Sequence, residues 1–352
     1  METNLIQTKL HVPYVSEDLI ERPELLRRLN QESDPHFTLI SAPAGYGKTT
    51  LIASWLRAQQ QLFAWISLDK FDNYLDIFLQ YLVLAIQGVF PEAFPNLSVI
   101  LQAPDSPTVD ELSATIVNEL NQLPERLVLI LDDYHVIQNT SILQLVGRIL
   151  DHPPHRLHLV IVSRTDPFLP LPRLRLKLNM SEVREQDLRF SDQDADRLLR
   201  TSIPYQLDHE KVKLLNQRVE GWAAGLRLAS LSLRDPGRLE TLFHDSQEGA
   251  QDFIAKYLFS EVLARQATGV QEFLLQTAFV NRFCTDLCCD LVRFSDEGVS
   301  TQEIFAHLLR ANLFIIPLDE AERWYRYHHS FQQMLRQKAS CLLYTSPSPR
   351  DQ

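Results

Sequence analysis

In the first half of the chain, short apolar runs alternate with segments whose apolar residues recur at helical spacing. The apolar runs predict buried strands at Leu62–Leu68, Leu127–Asp133 and Leu157–Arg164, after a first strand that begins at Phe37. A proline-rich turn over 167–172 and a last strand over 181–188 follow. Helices are predicted between the strands, over residues 49–59, 77–90 and 110–123. This alternation predicts an α/β domain with a mostly parallel sheet, which binds its ligands at the carboxyl ends of the strands.

From Ser191 onward the apolar residues follow helical spacing almost to the end of the chain. Predicted helices cover residues 192–201, 209–219, 221–233, 251–266, 270–278, 287–294 and 301–311. A hairpin is predicted from strands over 312–318 and 323–327, and a helix over 329–337 follows it. Helices followed by a hairpin and another helix favour a winged-helix arrangement. The second half is therefore predicted to contain an all-helical domain and then a winged-helix domain.

A glycine-containing turn joins the first strand to its helix, in the string Ala42-Pro-Ala-Gly-Tyr-Gly-Lys-Thr-Thr50. This is the arrangement of a phosphate-binding P-loop, although Ala42 stands where the general motif has its first glycine. Backbone N–H groups from Ala44 to Thr49 would form an anion site at the helix N-terminus. Lys48 would reach the β- and γ-phosphate oxygens, and the Thr49 hydroxyl would ligate Mg²⁺. The turn therefore predicts a P-loop NTPase domain that binds ATP or ADP with Mg²⁺.

Two later strands end in residues that suit the same ligand. The run Leu127–Asp133 matches the Walker B pattern, in which Asp132 would hold Mg²⁺ through water and Asp133 would orient or deprotonate the attacking water. We expect the strand with Asp132 to lie beside the P-loop strand. Arg164 ends the next strand and would sense the third phosphate, because hydrolysis removes a charge-assisted contact. Solvated strand ends are the alternative for Asp133 and Arg164.

Charge and composition limit the classes of function. The formal net charge of −11 argues against general nucleic-acid binding, which needs clustered Lys and Arg. The sequence begins without a secretory signal, and no apolar stretch approaches about 20 residues, so we expect a cytoplasmic location and no membrane span. Cys284 and Cys288 lie one helical turn apart without a second ligand pair nearby, which favours buried thiols over a metal site.

Several strings of the sequence together resemble the N-terminal ATPase region of MalT-like regulators. These are large ATP-binding LuxR-type transcription activators of the STAND class of P-loop ATPases. The resemblance covers roughly residues 4 to 338, and Ala42 is the residue that the family has at its position. The matching strings include Thr8-Lys-Leu10, Ile20-Glu-Arg-Pro23, Ser41–Leu51, Leu131-Asp-Asp-Tyr-His135, Ser163-Arg164, Glu220-Gly-Trp-Ala-Ala-Gly-Leu226 and Tyr325-Arg-Tyr-His-His329.

The resemblance adds two residues to the predicted site. It implies that His328 of the winged helix contacts ADP, although adjacent histidines in a packed domain can also be structural. It also implies that Arg22 lies near the nucleotide. The predicted catalytic residues are Lys48, Asp132, Asp133 and Arg164, and Thr49 and Asp132 are the predicted Mg²⁺ ligands. The predicted nucleotide-binding residues are Arg22, Ala44, Gly45, Tyr46, Gly47, Lys48, Thr49, Thr50 and His328.

The domain boundaries follow from the change of pattern and from the resemblance. We expect a P-loop nucleotide-binding domain over residues 1–190, a helical domain over 191–265 and a winged-helix domain over 266–340. Residues 341–352 lack periodicity and resemble translated sequencing-adapter sequence. We therefore expect an irregular, non-native tail, and a natural protein that continues with further domains.

The function that the resemblance implies is an ATP-dependent switch. A closed monomer with ADP would open, exchange ADP for ATP and self-associate, and slow hydrolysis would reset it. Contacts with an inducer and with DNA are expected only from the missing C-terminal domains. The alternatives are an AAA+-type ATPase that remodels a macromolecule, a small-molecule kinase, and a STAND module with another output domain. Fast ATP turnover would indicate the AAA+-type ATPase, and a substrate lid within the nucleotide domain would indicate the kinase.

Overall fold

Uninterrupted apolar runs form the central sheet, as expected for parallel strands that are covered on both faces. The strands are β1 (Phe37–Ser41), β2 (Leu62–Ser67), β3 (Leu127–Asp132), β4 (Leu157–Ser163) and β5 (Met180–Arg184). They pair in the order β2-β3-β4-β1-β5, and every pairing is parallel. All five carboxyl ends therefore lie at one edge of the sheet.

A computed structural model describes residues 5–14, 19–31, 35–43, 45–59, 61–101, 107–177, 179–234, 263–264, 266–294, 300–310, 315–318, 323–327 and 329–345. The chain divides into two compact units. The first comprises Met1–Val15, Glu21–Pro43 and Lys48–Leu188. The second comprises Ser16–Ile20, Ala44–Gly47 and Arg189–Gln352, so it includes part of the P-loop. None of the described helices is long and apolar enough to cross a membrane.

Helices surround the sheet of the first unit and cover its apolar core. They are α1 (Pro23–Gln31), α2 (Lys48–Ala58), α3 (Leu75–Gln87), α4 (Pro95–Ile100), α5 (Val109–Asn121), α6 (Thr140–Asp151), α7 (Leu171–Lys177) and α8 (Glu185–Leu188). Thr108 caps α5 in a capping box with Glu111. Asn139 caps α6 by accepting N–H groups from Ser141 and Ile142.

Three expectations for the first unit are wrong. The strand with Asp132 does not lie beside the P-loop strand, because β4 is inserted between β3 and β1. The last strand ends at Arg184, where the Asp187 carboxylate accepts the Arg184 N–H and α8 begins. The proline-rich turn gives way at Leu171 to α7, a helix that the sequence pattern had not indicated. The helix α6 was also not predicted.

The second unit contains helices and one short hairpin. Its described elements are α9 (Asp192–Ser202), α10 (His209–Arg218), α11 (Ala223–Ser232), α12 (Thr268–Thr277), α13 (Thr285–Leu291), α14 (Thr301–Arg310), β6 (Ile315–Pro317), β7 (Tyr325–Tyr327) and α15 (His329–Thr345). Strands β6 and β7 are antiparallel, and Phe283 forms a further bridge to Tyr325. This is the expected sequence of helices, hairpin and helix, and the fold is an α/β domain followed by a helical and a winged-helix domain.

Three further expectations concern the second unit, and the described residues agree with each of them only in part. The predicted helix over 251–266 lies outside the described residues except at 263–264 and 266. The final helix continues to Thr345, whereas an irregular tail was predicted from Cys341. Of the two cysteines predicted to be buried, Cys288 is buried, whereas Cys284 is partly exposed and caps α13. In the described part of the chain no three or more His, Cys, Asp or Glu residues are grouped so that they could hold a metal ion.

A buried histidine links β4 to the P-loop strand. The Nε2 atom of His158 lies 2.8 Å from Oγ1 of Thr38 in β1, and the edge of the Trp55 ring contacts the imidazole. Burial, with smaller contributions from Arg126 and His36, lowers the pKa of His158 to about 3. His158 is therefore neutral in the folded protein at neutral pH.

We predict that His158 makes the folded protein sensitive to mild acid. Below pH 6.5 the unfolded chain binds a proton that the folded protein does not bind until about pH 3, so stability falls as the pH falls through this window. The expected loss between pH 7 and pH 5 is about 2 kcal/mol from this residue. Urea unfolding at several pH values measures it. A His158→Gln variant should show a shallower pH dependence, and equal slopes would contradict the prediction.

Candidate functional site

The end of β3 meets the start of α2 at the edge where the strand carboxyl ends lie. The Thr49 hydroxyl is 3.2 Å and 3.1 Å from the two carboxylate oxygens of Asp132. Asp132 is only 2% exposed, and its backbone carbonyl accepts the N–H of Leu68. The parallel register pairs Asp132 with Ser67, which places this carboxylate at the last ladder position. A hydroxyl and a carboxylate in contact are oxygen ligands of the kind that Mg²⁺ prefers.

Lys48 begins α2 and is held close to the chain that precedes it. Its Nζ atom donates a hydrogen bond of 3.0 Å to the carbonyl oxygen of Pro43. The residue is 7% exposed, although an ammonium group is costly to bury. Such a contact fixes the charged end of Lys48 at the N-terminus of a helix, where an anionic phosphate is favoured.

Asp133, directly after β3, has an unusual backbone conformation for a residue with a side chain. Its φ and ψ are 57° and 34°, in the left-handed region. Its N–H donates to Asp132 Oδ1 at 3.0 Å. Asp133 Oδ1 lies 3.9 Å from Nε of Arg164 and 3.8 Å from Nδ1 of His135. The backbone thus directs the second carboxylate to Arg164, the arginine that ends β4.

His135 was not singled out as a site residue, yet it lies beside three predicted ones. Burial is the main reason that its pKa is lowered to about 4. Asp133 raises this pKa, whereas the positive charges of Arg164 and Lys48 lower it. The imidazole is therefore neutral at neutral pH. Its position in the string Leu131–His135 was the available signal, but spacing alone did not distinguish it from a surface histidine.

In the second unit, the turn of the P-loop contacts the start of α11. Gly45 and Gly47 have φ values of +82° and +81°, which favour glycine. The Gly45 carbonyl accepts the Ala224 N–H at 3.0 Å. A Cβ atom on Gly45 would lie 2.4 Å from Nε1 of Trp222. The Trp222 ring also packs against Gly225, so two glycines give it room.

The remaining predicted site residues have varied positions. Arg22 donates hydrogen bonds of 3.1 Å and 3.0 Å to the carbonyl oxygens of Asp187 and Leu188. Tyr46 is buried, and the Thr50 carbonyl accepts a hydrogen bond from the Ser54 hydroxyl within α2. Ala44 and His328 lie outside the described residues. Their predicted roles remain predictions, as does that of Arg22.

The residues present fit a nucleotide with Mg²⁺. Gly45 and Gly47 supply the backbone of an anion-binding turn, and a Cβ on Gly47 would meet no atom within 4 Å. Lys48 supplies a positive charge, and Thr49 with Asp132 supplies the oxygen ligands. A positive charge beside a hydroxyl and a carboxylate in contact is the combination that binding of a phosphate with Mg²⁺ requires.

Comparisons with known proteins find relatives of this chain. The family described as the MalT winged helix domain matches residues 259–346. The HTH-type transcriptional regulator MalT of Yersinia enterocolitica is 33% identical over 335 residues, which are 95% of this chain. MalT of Yersinia pestis is 32% identical over the same length. The chain spans 36% of the length of these curated relatives.

A solved structure shares the fold over nearly the whole chain. It is a signal transduction ATPase with numerous domains (STAND) from Pyrococcus horikoshii that carries a tetratricopeptide repeat sensor. Its TM-score is 0.63 at 13% sequence identity, over 97% of this chain and 47% of that protein. The likeness shows that the two proteins share their fold.

We predict that alanine at Gly45 costs much more stability than alanine at Gly47. Both substitutions place a side chain at a positive φ, which costs about 1 kcal/mol or more. Only the Gly45 Cβ would overlap Trp222 and Ala224, which adds about 1 to 3 kcal/mol. Thermal unfolding of Gly45→Ala and Gly47→Ala measures the difference. Equal losses would show that Trp222 does not press on this turn.

Proposed function

We propose that this chain, which belongs over its aligned residues to the MalT-like transcriptional regulators, acts as an ATP-dependent switch module. The observation that carries the proposal is the contact of Thr49 with Asp132 beside the buried Lys48. These are the positions at which a P-loop protein binds nucleotide phosphates and Mg²⁺. ADP would favour a closed state and ATP an open one, and slow hydrolysis would return the protein to the ADP form.

Each side chain of the site has a role in this proposal. Lys48 binds the β- and γ-phosphate oxygens, and the N–H groups of the Gly45–Thr50 turn bind the phosphates. Thr49 and Asp132 would hold Mg²⁺, which neutralises phosphate charge when it is bound. Asp133 accepts a proton from the attacking water, and Arg164 senses the third phosphate. Arg22 and His328 complete the nucleotide contacts.

A switch needs more than tight binding of a nucleotide. A ligand shifts an equilibrium between two states only by the difference between its affinities for them. Arg164 is a candidate for this difference, because its Nε atom lies 3.9 Å from Asp133 Oδ1. A γ-phosphate would compete with Asp133 for the same positive charge. ADP lacks that phosphate and would leave the Arg164–Asp133 pair intact.

The output of the switch is proposed from the relatives, of which this chain covers a minor share. Those proteins are named transcriptional regulators of the helix-turn-helix type. We propose that DNA contacts and inducer sensing belong to parts of the natural protein beyond this region, and that ATP promotes self-association in the cytoplasm. The proposed division is nucleotide-binding over 1–190, helical over 191–265 and winged-helix over 266–340.

We predict that the purified wild-type chain retains ADP and hydrolyses ATP slowly. Denaturation releases the bound nucleotide for identification, and phosphate release measures turnover, which we expect to be below about 1 per second, the lower limit of ordinary enzyme rates. Lys48→Ala should abolish both properties because it removes the charge at the phosphate site. Lys213→Ala is the control, since Lys213 is exposed on α10.

Two outcomes would contradict the proposal. An empty site with turnover of many per second would favour an AAA+-type motor that remodels a macromolecule. Nucleotide binding and turnover that survive in Lys48→Ala would show that the P-loop is not the nucleotide site. A STAND module with an output other than transcription would give the same results in this experiment. Only the natural full-length protein distinguishes that alternative from a transcriptional regulator.

A further inference from the structure

Two side chains approach the same oxygen of Asp133 from different elements. Nδ1 of His135 lies 3.8 Å from Asp133 Oδ1, and Nε of Arg164 lies 3.9 Å from it. Both distances exceed a direct hydrogen bond by less than about 1 Å. A small rotation of the carboxylate therefore brings it to one partner or the other. Asp133 is the group that accepts the proton in the proposed hydrolysis, so its orientation matters for the reaction.

The fold fixes the position of His135. Residues Tyr134–Val136 form a 3₁₀ turn in which Tyr134 is buried. The Asn73 side-chain amide donates to the Val136 carbonyl at 2.7 Å, and its oxygen accepts the N–H groups of Gln138 and Asn139.

The residue before Asn73 is buried and forms an ion pair. This residue is Asp72, whose carboxylate is fully buried and lies 2.6 Å from Nζ of Lys9. The chain after Asp133 is thus tied to the N-terminal segment, and His135 is not part of a loose loop.

The surroundings of His135 allow its Nδ1 atom to form a hydrogen bond with the Asp133 carboxylate. This nitrogen is buried, and no hydrogen-bond partner for it occurs among the residues that the structure describes. A buried nitrogen without a partner costs free energy, and a slight turn of Asp133 would supply one. The side chain is 18% exposed, so water does not surround it. Burial, together with the nearby charges of Arg164 and Lys48, disfavours a positive charge on the ring, so the imidazole carries one N–H only.

We propose that His135 is a positioning residue, whose Nδ1–H holds the Asp133 carboxylate in place for the attacking water when Arg164 turns to the γ-phosphate. This inference rests on the proposed ATP hydrolysis. In that step the water oxygen bonds to the γ-phosphorus while the bond to the β–γ bridging oxygen breaks, and its electron pair leaves with ADP. The proton of the water passes to Asp133. His135 itself neither gains nor loses a proton.

Two substitutions separate positioning from simple packing. His135→Asn retains an N–H donor near the place of Nδ1, whereas His135→Leu retains bulk without a donor. We expect His135→Leu to lower kcat by about 10- to 100-fold, which is less than the roughly 100- to 10,000-fold that a general base contributes, because Asp133 itself remains. KM and the dissociation constant for ADP should change less than about threefold, and His135→Asn should restore kcat to within about threefold of the wild type. Thermal unfolding checks that both variants fold.

A double-mutant cycle tests whether His135 acts through Asp133. In an Asp133→Asn background, which suits the left-handed backbone, His135→Leu should have no further effect on kcat. An additional tenfold loss would show that His135 acts on the substrate directly and would overturn the proposal. Equal kcat values for His135→Leu and the wild type would overturn it as well, as would a kcat for His135→Asn as low as that of His135→Leu.

A measurement without nucleotide separates failure of this inference from failure of the proposed function. Nitrogen-15 NMR of the histidine rings, with the His135 signal identified by its loss in His135→Asn, reports which ring nitrogen carries the proton. We expect the Nδ1–H tautomer in the wild type and a changed tautomer in Asp133→Asn. An unchanged spectrum would contradict the role of His135 even if the wild type hydrolyses ATP. The expected spectrum without any ATP turnover would instead refute the proposed function.

Discussion

The parallel alignment of the strands is the constraint on which the site depends. Each strand must run in the same direction for its carboxyl end to lie at the shared edge, and the register then fixes which residues meet there. Ser41 of β1 pairs with Ser163 of β4, directly before Arg164, and Asp132 of β3 is the last residue of its ladder. The P-loop leaves the same edge from β1. The direction and register of the strands therefore bring residues that are far apart in sequence within a few ångströms of each other.

Backbone conformations that most residues avoid occur next to this edge. Asp133 is held in the left-handed region, at a cost of about 1 to 3 kcal/mol. An asparagine or a glycine would adopt this backbone conformation at a lower cost. A carboxylate is thus kept at a strained position that directs it to Arg164 and His135. In the second unit Glu220 and Gly221 are also left-handed, directly before Trp222. Packing of the surrounding core has to offset the conformational costs at Asp133 and Glu220.

Much of the fold could be predicted because the signals were local. The strands are continuous apolar runs, and the capping residues Thr108 and Ser191 mark the starts of helices. The order of the strands could not be predicted, since β3 and β4 are equally apolar and nothing in either indicates which lies beside β1. Helix α7 was hidden by Pro170 before it and by Pro172 in its first turn, where proline is tolerated.

The candidate site divides in the same way. Lys48, Thr49 and Asp132 are recognisable because phosphate and Mg²⁺ binding requires those groups in one short turn and at one strand end. The place of His135 depends on the left-handed Asp133 and on Asn73, which lies 62 positions earlier in the sequence. The contact of Trp222 with Gly45 depends on packing between segments distant in sequence. No periodicity or spacing encodes such contacts, so only the structure reveals them.

The most direct test of the switch compares hydrogen exchange in the presence of ADP and of a non-hydrolysable ATP analogue. The amide of Ala224, which donates to the Gly45 carbonyl, reports on the turn that is proposed to bind the phosphates. We expect exchange of this amide to be at least about tenfold slower with ADP than with the analogue, because in the proposed switch only ADP favours the closed state. Equal exchange with both nucleotides, at concentrations that saturate the site, would contradict a nucleotide-dependent switch.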